Sequence, residues 1–121
     1  MGKTILVVED QEDNRKIMRD LFTSAGYEVI EAVDGPKGVS AAGTHRPDLI
    51  LMDIQLPGID GYEATRQIKA MPDLQKIPII AVTSYALSGD DVKAFEAGCD
   101  AYVAKPFSPR ELLAKVREFL P

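Results

Sequence analysis

The sequence predicts an α/β fold in which a doubly wound parallel sheet of five strands lies between layers of helices, a (βα)5 sandwich. Two observations predict it. Five apolar runs of strand length alternate along the chain with segments of helical periodicity. Three of these runs contain no polar residue, as expected for strands that helices cover on both faces: Ile5 to Val8, Leu49 to Met52, and Ile79 to Val82.

The other two strands have weaker patterns. One is the short apolar run from Ala101 to Ala104, and the other, from Glu28 to Ala32, mixes charged with apolar residues. We expect the mixed run to be an edge strand, because an edge strand meets water on part of its surface. A chain of 121 residues is the right length for one hydrophobic core, and we expect one domain over residues 1–121.

The helices are predicted from apolar stripes and from capping residues. The first helix ends before Gly26, which is a favourable C-terminal cap. Its predicted stripe is mostly apolar and consists of Asn14, Ile17, Met18, Leu21, Phe22 and Ala25.

Three further helices begin at capping sequences, and one has a weaker signal. The capping pairs are Asp60 with Glu63, Ser88 with Asp91, and Ser108 with Glu111. Pro109 occupies the helical position that proline favours most, and an apolar face follows it in the last helix. A remaining helix is predicted from Pro36 to Ala42.

The composition excludes several classes of partner. The net charge of −5 leaves no clustered basic surface for nucleic acid or anionic lipid. No apolar segment has the length of a signal peptide or a membrane span, and Cys99, the one cysteine, cannot form an internal disulfide. We therefore expect a cytoplasmic protein whose partners are other proteins.

Polar residues follow four of the predicted strands at their carboxyl ends. Ligands of open α/β sheets bind beyond these ends. A single polar residue there is commonly structural, but the coincidence of four such ends predicts a shared site. The residues are Glu9 and Asp10, Asp53, Thr83 and Ser84, and Lys105 and Pro106.

Three of these side chains are carboxylates, and their convergence requires a cation. Two carboxylates ~4 Å apart at an effective dielectric constant of ~20 repel each other by roughly 4 kcal/mol. Oxygen ligands without histidine or cysteine nearby favour Mg²⁺ or the similar ion Mn²⁺. Because Lys105 and the Thr83 hydroxyl would lie opposite, the site suits transfer of a phosphoryl group, with Asp53 as the nucleophile.

These residues resemble, in order and spacing, those of the receiver domains of two-component response regulators. The resemblance covers essentially the whole chain, and it includes the run from Asp48 to Pro57 around Asp53. It implies a flavodoxin-like sheet of strand order 2-1-3-4-5. It also implies a phosphorelay switch that does not act on an external substrate, so that only self-phosphorylation and autodephosphorylation are expected.

The resemblance implies a role for each site residue. Asp53 would accept the phosphoryl group from a histidine kinase or a histidine phosphotransfer protein. Thr83 and Lys105 would hold the phosphoryl oxygens, and the Lys105–Pro106 bond resembles the family's cis proline. The carboxylates of Asp10 and Asp53 and the backbone carbonyl of Gln55 would bind Mg²⁺ directly. The Glu9 carboxylate would act through water.

A conformational switch is also implied by the resemblance. Thr83 would move towards the phosphoryl group and Tyr102 would turn inward after it, which would change the surface formed by helix 4, strand 5 and helix 5 for a downstream protein. Packing beside the last strand is the alternative role of the Tyr102 ring. Gln55 and Tyr85 would tune the lifetime of the phosphoryl group. We expect slow autodephosphorylation because the Tyr85 ring is bulky. The alternative role of Tyr85 is to form part of a contact surface.

Within the family, the sequence is similar to DivK-type single-domain regulators of the bacterial cell cycle, although receivers of hybrid histidine kinases share much of it. The chain leaves no room for an output domain after the fifth helix, so we expect output through protein contacts. Two alternatives are a receiver excised from a hybrid histidine kinase and a pseudo-receiver that is never phosphorylated. A haloacid-dehalogenase-like phosphatase needs an aspartate where Gln55 stands. A flavodoxin's phosphate would be repelled by the acidic residues between positions 9 and 13.

Overall fold

The computed structural model describes residues 2–84 and 90–121. In these ranges five strands alternate with five α-helices, and a short 3₁₀ helix (Pro72–Leu74) precedes the fourth strand. The strands are β1 (Thr4–Val8), β2 (Glu28–Ala32), β3 (Leu49–Asp53), β4 (Ile79–Thr83) and β5 (Ala101–Ala104). The helices are α1 (Glu12–Ser24), α2 (Gly35–His45), α3 (Gly61–Lys69), α4 (Asp90–Ala97) and α5 (Pro109–Phe119).

The strands form one parallel sheet of order β2-β1-β3-β4-β5, which confirms the predicted fold class. Val8 lies opposite Met52 between β1 and β3, and Asp53 lies opposite Val82 between β3 and β4. The three central strands therefore end close to one level, and the residues that follow them meet beyond the carboxyl ends of the strands. β2 is an edge strand, as predicted, because β1 is its one neighbour in the sheet.

Helices cover both faces of the sheet, which explains the unbroken apolar sequences of the central strands. One core lies under α1 and α5 and includes Met18, Phe22 and Leu112. The other lies under α2, α3 and α4 and includes Ile68 and Ala94. Side chains alternate along a strand, so each central strand contributes apolar residues to both cores.

The helix starts confirm most of the predicted capping residues. The Asp60 carboxylate accepts a hydrogen bond from the Glu63 N–H at 2.9 Å, and the Ser108 hydroxyl accepts one from the Glu111 N–H at 3.0 Å. α2 is longer than predicted and begins after Asp34, whose carboxylate accepts from the Lys37 N–H. The predicted cap at Ser88 lies outside the described residues.

The predicted stripe of α1 is not buried at every position. Met18 and Phe22 are buried in the core, but Ile17 is 49% exposed. Its side chain lies at the edge of the helix, where it lines a groove with Pro106 and Phe107 of the loop between β5 and α5. The apolar residue thus faces a neighbouring loop instead of the sheet.

Candidate functional site

The carboxyl ends of β1, β3, β4 and β5 form one site, as the sequence predicts. Glu9 and Asp10 follow β1, Asp53 ends β3, Thr83 ends β4 and Lys105 follows β5. The last of these is followed by a cis peptide bond to Pro106. The four strand ends therefore place three carboxylates, one hydroxyl and one ammonium group at the same edge of the sheet.

The three carboxylates form a compact cluster. One oxygen from each of Glu9, Asp10 and Asp53 lies within 4.8 Å of the others. Glu9 is fully buried and Asp53 is 2% exposed, whereas Asp10 is half-buried at the mouth of the site. Two carboxylates are thus removed from water next to a third, which costs free energy unless positive charge lies beside them.

The environment of the cluster shifts the pKa values of two of its members. Burial raises the pKa of Glu9, and contact with the Asp53 carboxylate raises it further. Burial also raises the pKa of Asp10, followed by the effect of the neighbouring Glu9. Burial and neighbouring negative charge thus act in the same direction on both carboxyl groups, and each disfavours the charged form.

Among the described residues, Lys105 places its positive charge inside the cluster. Its Nζ lies 3.2 Å from Glu9 Oε1 and 3.1 Å from Asp53 Oδ2, and its side chain is 19% exposed. Burial alone would lower the pKa of Lys105, but the Asp53 and Glu9 carboxylates outweigh burial and raise it. One ammonium group therefore contacts two of the three carboxylates, so the negative charges of the cluster outnumber this positive charge.

The Asp53 carboxylate is oriented from two sides. Oδ2 accepts from Lys105, and Oδ1 accepts a hydrogen bond of 3.0 Å from the Gln55 N–H. The loop after β3 is held close to the strand because the Gly61 N–H donates to the Ile54 carbonyl at 3.0 Å. A Cβ atom at position 61 would lie 2.3 Å from the Asp53 carbonyl oxygen, so only glycine fits there.

The Gln55 side chain makes a contact that sequence reasoning missed. Its Nε2 donates to Thr83 Oγ1 at 3.1 Å, and its Oε1 accepts from the Ser84 N–H at 3.0 Å. The side chain thus connects the loop after β3 to the end of β4. No local pattern could have revealed this bridge, because it joins residues that are 28 positions apart.

The donor set of the cluster fits a hard divalent cation. It consists of carboxylate oxygens, and Cys99 lies elsewhere, buried with its sulfur 3.7 Å from the Thr65 hydroxyl. Oxygen donors of this kind favour Mg²⁺ or Mn²⁺ over Zn²⁺, which prefers nitrogen and sulfur ligands. Neither Oε1 nor Oε2 of Glu9 is free, because they accept hydrogen bonds from Lys105 and from the Gln11 N–H, respectively.

Comparison with known proteins identifies the family. The family model described as the response regulator receiver domain matches residues 5–117. The chain belongs to this family. Among curated proteins, this receiver domain is 43% identical to the polar-differentiation response regulator DivK of Brucella anthropi, over 99% of this chain and 98% of that protein. It is 42% identical to the DivK protein of Brucella abortus over the same shares of both chains.

Solved structures of receiver domains have the same fold. The receiver domain of the sensor histidine kinase PA1611 from Pseudomonas aeruginosa is 41% identical, with a TM-score of 0.92 over 99% of this chain and 98% of that one. Its crystal structure contains a magnesium ion coordinated in the active-site cleft. The chemotaxis protein CheY4 of Vibrio cholerae has a TM-score of 0.93 at 25% identity, over 98% of this chain and 99% of that one.

The structure describes one of the two tyrosines for which a role is predicted. Tyr102 lies on β5, half-buried, with its ring centroid 6.1 Å from that of Phe95 and the two planes at 83°. The ring packs against the core beside the last strand, as its alternative role requires. The predicted lifetime residue Tyr85 lies outside the described residues.

No helix in the described part of the receiver domain is long and apolar enough to cross a membrane.

Proposed function

We propose that this receiver domain accepts a phosphoryl group on Asp53 and signals through the resulting change in its protein contacts. The observation that supports this proposal most strongly is the setting of the Asp53 carboxylate. It is buried, faces the Lys105 ammonium group at 3.1 Å and accepts a hydrogen bond from the Gln55 N–H. Both donors can stabilise negative charge that develops on a transferring phosphoryl group.

The proposed reaction transfers a phosphoryl group from nitrogen to oxygen. An oxygen of Asp53 attacks the phosphorus of a phosphohistidine on a histidine kinase or a histidine phosphotransfer protein. A P–O bond forms as the P–N bond breaks, and the imidazole nitrogen leaves with the electron pair. The product is an acyl phosphate on Asp53, whose phosphoryl oxygens Lys105 and the Thr83 hydroxyl would hold.

The acidic cluster supports dependence on a divalent cation. Mg²⁺, or Mn²⁺, would be held by Asp10, Asp53 and the backbone carbonyl of Gln55, with Glu9 acting through water. The bound cation would supply positive charge to the phosphoryl oxygens. An indirect role suits Glu9 because Lys105 and the Gln11 N–H already bind its carboxylate oxygens.

The acyl phosphate would be lost by slow autodephosphorylation, and no activity on an external substrate is proposed. Gln55 and Tyr85 would set the lifetime, since they follow the phosphoacceptor and Thr83, respectively, by two residues. A phosphatase of the haloacid-dehalogenase type is disfavoured further by the Gln55 contacts. The side-chain amide is engaged with Thr83 and Ser84, and an amide cannot act as a general acid or base at neutral pH.

The proposal includes a surface for the downstream protein, which is the face formed by α4, β5 and α5. Val92 and Phe95 on α4 are 55% and 50% exposed, respectively, and Phe95 contacts Tyr102 on β5. Movement of Thr83 followed by Tyr102 would therefore change an exposed apolar surface, where a downstream protein would bind differently in the two states. A cytoplasmic location belongs to the same proposal, because phosphorelays draw on ATP.

The chemical nature of the adduct tests the proposal. The protein is incubated with Mg²⁺ and phosphoramidate, a small donor with a P–N bond, and the product is then treated with neutral hydroxylamine. An acyl phosphate on Asp53 is cleaved by hydroxylamine, whereas a phosphate ester on Thr83 or Ser84 survives.

Two aspartate variants complete this experiment. Asp53→Asn should carry no hydroxylamine-sensitive phosphate. Asp60→Asn should behave like the wild type, because Asp60 is an exposed helix cap and asparagine caps helices equally well. An adduct that resists hydroxylamine, or one that persists in Asp53→Asn, would contradict the proposed phosphoacceptor.

A further inference from the structure

Arg15, in the first turns of α1, binds the backbone from which two of the acidic side chains project. Its Nη1 donates to the Glu9 carbonyl at 2.9 Å and to the Asp10 carbonyl at 3.2 Å. The side chain is 15% exposed, so the guanidinium group lies mainly inside the protein. The contact is directed at the main chain of the acidic pair and not at its carboxylates.

The same guanidinium group is anchored on the neighbouring strand. Its Nε lies 3.4 Å from Glu31 Oε1 on β2. The Glu31 carboxylate is also held by Arg19, whose Nη1 lies 3.2 Å from Oε1 and 2.9 Å from Oε2. Arg15 therefore connects the segment after β1 to the edge strand, whereas the described contacts of Arg19 are with Glu31.

Glu9 has further restraints, because its N–H donates to the Ala32 carbonyl at 3.0 Å and its carboxylate accepts from Lys105 and from the Gln11 N–H. The restraints are fewer where the chain enters α1. The N-cap of α1 is Gln11, which makes no capping hydrogen bond with its side chain. The first backbone bond of the helix runs from the Arg15 N–H to the Gln11 carbonyl at 3.0 Å. The carbonyls of Glu9 and Asp10 precede this first helical acceptor, and Arg15 is the side chain that occupies both.

This restraint acts where the chain would otherwise move. Carboxylate oxygens of Glu9, Asp10 and Asp53 lie within 4.8 Å of one another and repel. Lys105 and the Gln11 N–H hold the Glu9 carboxylate, so a loose segment would relax by swinging Asp10 away. Ligands that stay converged before the cation arrives bind it more tightly, because less ordering remains to be done.

We infer that Arg15 is a positioning residue of the cation site, which it preorganises by holding the backbone of Glu9 and Asp10 against β2. The inference rests on the proposed function, because it requires the acidic cluster to bind Mg²⁺. It predicts a loss of Mg²⁺ affinity in Arg15→Ala of roughly tenfold, the lower end of the range for residues that orient metal ligands.

Titration calorimetry with MgCl2 at constant ionic strength tests the inference on four proteins: wild type, Arg15→Ala, Arg15→Lys and Arg19→Ala. Arg19→Ala is the matched control, since it removes the other arginine on Glu31 but leaves both carbonyl bonds in place. It should bind Mg²⁺ within about twofold of the wild type. Arg15→Lys keeps the charge but lacks the planar fork, so its affinity should lie between those of wild type and Arg15→Ala.

A purely structural role gives a different pattern. It would lower the melting temperature of Arg15→Ala in EDTA and leave the Mg²⁺ dissociation constant unchanged, which would overturn the inference. If Arg15→Ala does not fold, wild-type affinity in Arg15→Lys overturns it instead. Absence of Mg²⁺ binding by the wild type would refute the proposed function, and the inference with it. Binding by wild type and Arg19→Ala, together with undiminished binding by Arg15→Ala, would refute the inference alone.

Discussion

The Gln55 side chain donates a 3.1 Å hydrogen bond from Nε2 to Thr83 Oγ1. It therefore links the loop that follows Asp53, the proposed phosphoacceptor, to the residue that we propose moves towards the phosphoryl group. If Thr83 moves, this bond must break. Gln55 would then do more than tune the lifetime of the phosphoryl group, because its side chain would also favour the unphosphorylated arrangement of Thr83.

Removal of this bond should favour the phosphorylated state. Gln55→Ala should bind the phosphoryl analogue BeF3⁻, in the presence of Mg²⁺, about fivefold more tightly, since a hydrogen bond of about 1 kcal/mol no longer opposes the change. Isothermal titration measures the affinity. Gln67→Ala, which removes an exposed glutamine bonded to Glu63 on α3, is the control and should match the wild type. Weaker binding by Gln55→Ala would show that the bridge supports the phosphorylated state instead.

The close approach of Gly61 to the Asp53 backbone should make this position intolerant of any side chain. A Cβ atom would lie 2.3 Å from the Asp53 carbonyl oxygen and 2.7 Å from Ile54 Cα. Both contacts are with backbone, which cannot give way cheaply. We expect Gly61→Ala to lower the free energy of unfolding by about 2 kcal/mol, as measured by urea denaturation.

Gly43 provides the matched control for this substitution. It lies within α2, and a Cβ atom there would meet nothing within 4 Å. Gly43→Ala should raise the free energy of unfolding by about 0.5–1 kcal/mol, because alanine favours helix. Equal effects of the two substitutions would contradict the crowding at Gly61.

Crowding of negative charge should make the cluster destabilising when no cation is bound. Asp10→Asn should raise the urea midpoint in EDTA, because it removes one of three mutually repelling carboxylates. It should also reduce the rise in midpoint that Mg²⁺ produces in the wild type, because a proposed ligand is lost. Asp20→Asn changes an exposed carboxylate on α1, outside the cluster, and should do neither. A lower midpoint for Asp10→Asn in EDTA would contradict the repulsion.

Burial should make the Cys99 thiol unreactive in the folded protein. Burial raises its pKa to about 11, even though the hydrogen bond with Thr65 acts in the opposite direction. At pH 8 the folded protein should therefore react with iodoacetamide about a hundredfold more slowly than in urea, where the thiol has an ordinary pKa of about 8.5.

The pH dependence of alkylation identifies the cause. The folded rate should rise about tenfold per pH unit and level off only near pH 11, because the thiolate is the reactive form and its pKa is raised. The rate in urea should level off above about pH 8.5. A folded rate that also levels off near pH 8.5 would mean that the thiol reacts with an ordinary pKa.

Much of the fold and the site follows from residues that are close in sequence. The apolar runs of β1, β3 and β4 predict covered strands, and parallel strands bring Asp10, Asp53 and Thr83 to one edge without further information. The capping residues Asp60 and Ser108 predict helix starts for the same reason, since each bonds a backbone N–H three residues away.

Contacts between distant residues could not be predicted in this way. Arg15 and Glu31 are 16 positions apart, and their contact depends on where α1 crosses the edge strand. Ile17 satisfies the helical period of a core residue but lies beside the loop after β5, because the width of the sheet decides which residues of α1 it covers. The Gln55 bridge likewise requires the order of β3 and β4 in the sheet.

The central claim is that Asp53 accepts a phosphoryl group in a reaction that depends on Mg²⁺. Intact-mass measurement after incubation with Mg²⁺ and acetyl phosphate tests it most directly, with wild type and Asp53→Asn compared in parallel. We predict a single phosphoryl adduct on the wild type, its absence from Asp53→Asn and its loss in excess EDTA. An equal adduct on Asp53→Asn, or an adduct that forms undiminished in EDTA, would contradict the account.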